Sequence, residues 1–252
     1  MAGHSHWAGI KHKKGANDAK RGKLFSKLAK HIIAAARQGG GDPEANLHLK
    51  YAIDSAKAVS MPKDNIERAI NRGAGVTDGE EDLFEIMYEG YGSGGIALLI
   101  EGLTDNRNRT SAEVRKIFDR KGGNLGSPGS VAWQFEKKGL FVIQRNGIDS
   151  DDLMEIALEA NADEFDETDE NFEITCSPED FMSVKSALDQ NEIEVEVAEL
   201  SYLPNNRIEA SPDDSRKVLG LMEELEDHDD VQGVHSNLEI PEQVLEELKA
   251  EA

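Results

Sequence analysis

A single cysteine, Cys176, in 252 residues excludes an internal disulfide and any multi-cysteine zinc site. Aromatic residues make up only 6%, too few for an aromatic ligand cage. No apolar run exceeds five residues, as in Ile96 to Ile100, so no segment is long enough to span a bilayer. The first residues are polar and basic and offer no apolar signal core, which predicts a cytoplasmic protein with no membrane partner. Nucleophilic catalysis also lacks its parts. Cys176 stands beside Ser177 and Pro178 among acids, which disfavours a thiolate. The serines lie in caps and turns, and no pair of carboxylates stands out from the many present.

What is abundant is charge, and it is unevenly placed. Residues 1–75 carry 14 Lys and Arg against 6 Asp and Glu, whereas residues 146–252 carry 5 against 33. The net charge of −22 therefore hides a basic head on an acidic body. Within the head, Lys11, His12, Lys13, Lys14, Lys20, Arg21, Lys23, Lys27 and Lys30 fall within twenty residues, with Trp7 just before them. Such residues neutralise phosphates and release counterions, and a tryptophan can stack on an unpaired base. The alternative is a solvated amphipathic helix face. A second cluster, Arg107, Asn108, Arg109 and Arg115, surrounds the start of a helix that the capping box Thr110–Glu113 places at 110–121. Its N-terminal dipole and bidentate arginines suit phosphate equally well.

The pattern of elements predicts an α+β protein with three units. Residues 1–77 read as three helices: Asn17 or Asp18 to Gln38, Asp42 to about Val59 with Leu47 and Ala56 facing inward, and Pro62 to Gly73. Lys20, Lys23, Lys27, Lys30 and Arg37 collect opposite the apolar stripe of the first helix. Residues 137–204 read as β-α-β-β-α-β, the ferredoxin-like order. Before them come strands at 86–88, 96–103 and 131–135 and the helix at 110–121; after them, a helix at 211–227, a strand at 233–236 and a terminal helix. The later pieces complete the earlier ones. The second unit is then a discontinuous ferredoxin-like domain, residues 78–136 plus 205–252, with the third inserted in it.

Three further motifs invite chemistry and are set aside. Gly90–Gly95 matches G-x-G-x-x-G, but a strand follows where a dinucleotide fingerprint needs a helix, so a hairpin turn is expected and no cofactor. His4, His6 and His12 fit no standard metal spacing. The run Glu223–Asp230 lacks the alternating ligands and glycine turn of a calcium loop, and reads as a solvated helix surface.

The sequence also resembles the YebC/PmpR family along essentially its whole length. The resemblance is carried by Met1–Ser5, Trp7-Ala8, Lys11–Ala16, Asp18–Lys23, Gly39–Pro43, Met61-Pro62-Lys63, Tyr88–Gly92, Thr104–Thr110, Gly122–Gly126 and Gly129–Trp133. His6 and Ser93 depart from the family's usual lysine and proline. The resemblance implies a cytoplasmic, three-domain, non-enzymatic protein. The family is described both as DNA-binding transcriptional regulators and as translation factors at the ribosome, including at stalls on consecutive prolines; its mitochondrial relatives resemble translational activators. The lysine-rich surface, poor in Asn and Gln, favours ribosomal RNA over base-specific DNA as partner. The alternatives are a sequence-specific DNA-binding regulator, and a small-ligand or metal-dependent enzyme in an acidic cleft between domains.

Overall fold

The computed structural model describes residues 18–75, 83–168 and 170–251. Its first unit is three helices, α1 (Asp18–Gly39), α2 (Leu47–Ala58) and α3 (Lys63–Gly73), around Ile32, Leu49, Ala56, Ile66 and Ala69. Gly73 lets α3 approach α1 closely; a Cβ there would lie 2.4 Å from the Ile33 carbonyl oxygen. The second helix starts later than Asp42-Pro43 suggests. Asp42 instead makes a turn to Glu44 and Ala45, and the buried Asn46 caps α2 by accepting from the Leu49 N–H. The Asn46 amide also donates to the Ala35 and Gly40 carbonyls at 2.8 Å, tying the turn to the end of α1. This start leaves Leu47 half exposed, contrary to its expected inward place, and Leu49 fills the core instead.

The second unit pairs β1 (Phe84–Tyr91) with β2 (Ala97–Thr104), followed by α4 (Arg107–Arg120) and the short β3 (Asn124–Leu125). Gly94 and Gly95 take left-handed φ values of 71° and 75° in the connecting 3₁₀ turn, so the glycine-rich motif is a hairpin turn, as expected. The chain then passes through the third unit, made of β4 (Phe135–Gln144), α5 (Ser150–Glu159), β5 (Ala162–Glu167), β6 (Asn171–Cys176), α6 (Phe181–Gln190) and β7 (Val197–Pro204). Its antiparallel sheet has the order β5-β6-β4-β7, packed on Phe141, Phe172, Leu153 and Val184.

After β8 (Ile208–Glu209), α7 (Pro212–Glu226) and β9 (Val231–Ser236) return to the second unit; β10 (Leu238–Glu239) and α8 (Glu242–Glu251) end the described chain. β9 joins the first sheet, whose order is β3-β1-β2-β9, with Leu99 opposite His235. The mixed α+β architecture, an N-terminal helical region followed by two four-stranded antiparallel sheets, with β8 and β10 as a short parallel pair beside them, is thus the one expected. β2 is buried on both faces: Leu98 and Ile100 meet α4 and α7, while Ala97 and Leu99 meet Val131 and Phe135 at the start of the third unit. A strand covered on both sides reads as a continuous apolar run, which explains Ile96 to Ile100.

Two further local readings differ from the structure. Residues 131–135 do not form a separate strand: Ala132–Gln134 is a 3₁₀ turn that feeds directly into β4. Helix α4 begins at Arg107, not at the capping box, because Asn106 accepts from the Arg109 N–H at 3.1 Å and caps it one turn earlier. Arg107, Asn108 and Arg109 therefore sit on the first helical turn and not on a loop.

Candidate nucleic-acid interface

Lys23, Lys27 and Lys30 are spaced i, i+4, i+7 and share one face of α1. They are not left without protein partners. Lys23 Nζ donates to the Asp227 carbonyl at 3.1 Å, Lys27 Nζ to the Glu226 carbonyl, and Lys30 Nζ to the Asp229 carbonyl at 3.1 Å. These are carbonyls at and just beyond the C-terminal end of α7, where unpaired oxygens and the helix dipole attract cations. The run Glu223–Asp230, expected to be a solvated helix surface, is thus held by the protein's own lysines.

Asp230 anchors this contact. It is 3% exposed, and its carboxylate accepts from Lys30 Nζ at 2.6 Å, Arg109 Nη2 at 2.7 Å and Thr110 Oγ1 at 2.8 Å. Thr104 Oγ1 lies 3.1 Å from the same carboxylate. Burial alone would raise the pKa, but hydrogen bonds from Lys30, Arg109 and Thr110 outweigh it and hold the carboxyl well below the usual carboxylate range. The Asp230 N–H donates to His228 Nδ1 at 3.1 Å, leaving His228 Nε2 to donate to Glu113 at 2.8 Å. Ligand-type atoms of Glu113, His228 and Asp230 lie within 4.8 Å of one another. Lys30 and Arg109 already balance Asp230, so the cluster works as a hydrogen-bond chain and not as a cation sink.

The remaining site residues are dispersed. Arg107 stacks over the Phe84 ring at 4.4 Å, and Arg109 also holds Asp105 at 2.9 Å. Arg120 and Lys121 both pair with Glu224 of α7. Arg115, Lys116 and Asn108 are exposed, and neither Arg115 nor Lys116 has an ion-pair partner among the described residues. Arg21 is exposed, its guanidinium 5.8 Å from the Phe25 ring. Trp7, Lys11, His12, Lys13 and Lys14, and the Lys20 side chain, lie outside the described residues.

Two groups carry no sequence signal as a site. Trp133 is 71% exposed on a loop whose shape is set from below by buried Glu89. Glu89 accepts backbone N–H bonds from Gly129 at 2.6 Å, Val131 at 2.7 Å and Ala132 at 2.8 Å. Burial works to raise its pKa, yet these bonds bring it below the ordinary value. At the seam between the second and third units, His235 Nε2 lies 2.9 Å from Glu101 and Nδ1 lies 3.2 Å from Ser201 Oγ. Burial opposes ionisation of Glu101, but its bond with His235 leaves its pKa lowered. A Ser-His-Glu trio suggests hydrolysis only where the hydroxyl can meet a substrate. Here Ser201 is 1% and His235 6% exposed, so the hydroxyl is closed off and the trio is a polar contact between the two units, with Glu101 at its partly exposed end.

Comparison with known proteins fits this geometry. Residues 5–76 match the TACO1/YebC protein N-terminal domain, and residues 83–238 match the TACO1/YebC second and third domain. The chain belongs to the TACO1/YebC family. A relative from Natranaerobius thermophilus is 50% identical over 249 residues, covering 98% of this chain and 99% of its own. One from Dictyoglomus turgidum is 49% identical, covering 98% and 100%. Both bear the name probable transcriptional regulatory protein. The crystal structure of a conserved hypothetical protein from Aquifex aeolicus is similar with a TM-score of 0.84 at 44% identity, covering 95% of this chain and 99% of that one. The lysine contact on α7 therefore joins the region that matches the N-terminal domain to the region that matches the second and third. Among the described residues no helix is long and apolar enough to cross a membrane.

Proposed function

We propose that this TACO1/YebC chain is a non-enzymatic, nucleic-acid-binding regulator of gene expression whose tighter partner is structured RNA within the ribosome, in the cytoplasm. The observation that carries the reading is the segregation of charge: 14 basic residues against 6 acidic in residues 1–75, ahead of an acidic body that repels a second polyanion. The basic arm of residues 7–20 supplies the first contact, with Arg21 and the exposed Arg115 and Lys116 extending it. Lys23, Lys27 and Lys30 stand in a double role. They grip the end of α7, and a phosphate backbone competes with those carbonyls for the same ammonium groups.

A DNA-binding transcriptional regulator is the second reading, and the names of the relatives favour it. Its base contacts would come from the first turn of a capped helix in the major groove. On α4 that turn is already committed, since Arg107 stacks on Phe84 and Arg109 is held by Asp105 and Asp230. Competition at fixed salt between ribosomes and a panel of promoter duplexes tests the choice. Retention on ribosomes is expected; selective retention of one promoter over excess ribosomes overturns the RNA reading.

A further inference from the structure

Trp133 is 71% exposed, and one exposed apolar side chain is by itself ordinary. Its fixation is not. The Trp133 Nε1–H donates to the Ser130 carbonyl at 3.2 Å, and that carbonyl also accepts from the Tyr91 hydroxyl at 3.0 Å. The Asn205 N–H donates to the Gln134 carbonyl at 2.8 Å, and the Asn205 amide reaches the Trp133 carbonyl at 3.4 Å. Together with the N–H bonds that Glu89 accepts from Gly129, Val131 and Ala132, these contacts tie the loop to β1 and to the end of β7. The indole is held by one edge, and among the described residues no aromatic ring or cation covers its faces. We propose that Trp133 is a stacking platform for one unpaired nucleobase; it rests on the nucleic-acid reading for the strand that carries the base.

The surroundings select that ligand. Residues 122–134 and 203–206 contain no Asp or Glu, in a chain that has 50 of them, so a polyanion meets no fixed repulsion from these two segments. They contain no Lys or Arg either, so the contact is to the base and not to its phosphate. Of their exposed side chains, Asn124, Ser127, Asn205 and Asn206 are polar, and Pro128 alone joins Trp133 as apolar. A protein partner seeking apolar cover finds a single ring and no groove. A base matches both materials: its face takes the indole, and its edge takes amides and hydroxyls. Because the ring is fixed before binding, little freedom is lost when the base arrives. The basic head would then hold the backbone while Trp133, well outside it in sequence, holds a base.

Titration of the full chain with an oligouridylate of about 20 nucleotides, longer than the usual site of one single-strand-binding module, tests the platform. The chain has two tryptophans, so Trp133→Phe assigns the Trp133 indole N–H resonance. A saturable shift of that resonance is expected, and it should vanish when the strand is annealed to its complement. Trp133→Ala should bind the strand at least about fivefold more weakly, the lower end of what one base–aromatic stack contributes. The salt dependence of the remaining binding should match the wild type, because no phosphate contact is lost. Trp133→Phe should retain most of the affinity, since a ring face remains. The side chain lies outside the core, and an unchanged circular dichroism spectrum checks the fold; the wild-type resonance carries the test independently of any variant. Strand binding with an unshifted indole and an unaffected Trp133→Ala overturns the platform and leaves the nucleic-acid reading standing. An equal shift with the duplex overturns it as well, since no unpaired base is then needed. A Trp133→Ala variant that binds the strand normally but loses crosslinks to ribosomal protein assigns the ring to a protein partner and overturns the base. Failure of the wild type to bind either the strand or ribosomes breaks the nucleic-acid reading, and the platform with it.

Discussion

The two seams of this molecule are built from opposite materials. Between the N-terminal and second domains, three lysines reach helix-end carbonyls and one buried aspartate collects cations from both sides. Between the second and third, Leu99, Val131 and Phe135 pack together, Tyr202 meets His235 edge-on at 5.4 Å, and the Ser201–His235 contact is buried beside them. Apolar burial is neither screened by salt nor displaced by polyanions, whereas contacts between ammonium groups and carbonyls weaken with both. The contrast implies a second and third domain that move as one body and a head that releases under electrostatic competition.

The strongest way to break the contrast is to hollow the apolar seam. Phe135→Ala should cost about 3–4 kcal/mol in denaturant unfolding, with little dependence on salt. A loss that grew with salt would mean that this seam is held by charge after all. At the ionic seam, Asp230→Asn should cost about 2–3 kcal/mol, because Lys30 and Arg109 lose their charged acceptor. Since the folded Asp230 carboxyl titrates below its unfolded value, its contribution is present above about pH 4 and is lost as the pH falls further. Acid unfolding of wild type and Asp230→Asn should therefore converge at low pH; curves that stay parallel refute the anchoring role.

Lys23→Gln/Lys27→Gln should have a smaller effect, about 1 kcal/mol at low salt and less at high salt. Amide exchange at the end of α7 should speed up while that of β2 does not. Uniform acceleration would show that the head and the second domain open together. The smallest effect belongs to Trp133→Ala, within about 0.5 kcal/mol for so exposed a side chain. RNA crosslinking read on the same variant distinguishes a stacking tryptophan from a bystander.

Amphipathic spacing made α1 and α3 readable, and the apolar run at 96–100 correctly marked a strand. Errors arose where one polar side chain overrode a local pattern. Asn46 and Asn106 capped helices where Asp42 and Thr110 looked equally able, and Glu89 curled residues 131–134 into a turn despite their strand-like sequence. The basic cluster was visible in composition, but its partners were not. Lys23 and Asp227 are 204 residues apart, and nothing local in either segment announces the other.

The third domain enters and leaves through paired strands, with Phe135 directly opposite Pro204. Its two attachment points are thus neighbours on one ladder, and the host sheet receives β9 without any strand having to cross the insertion. A short turn grafted across that single rung would close the second domain over the gap, leaving the grip of the head on α7 untouched.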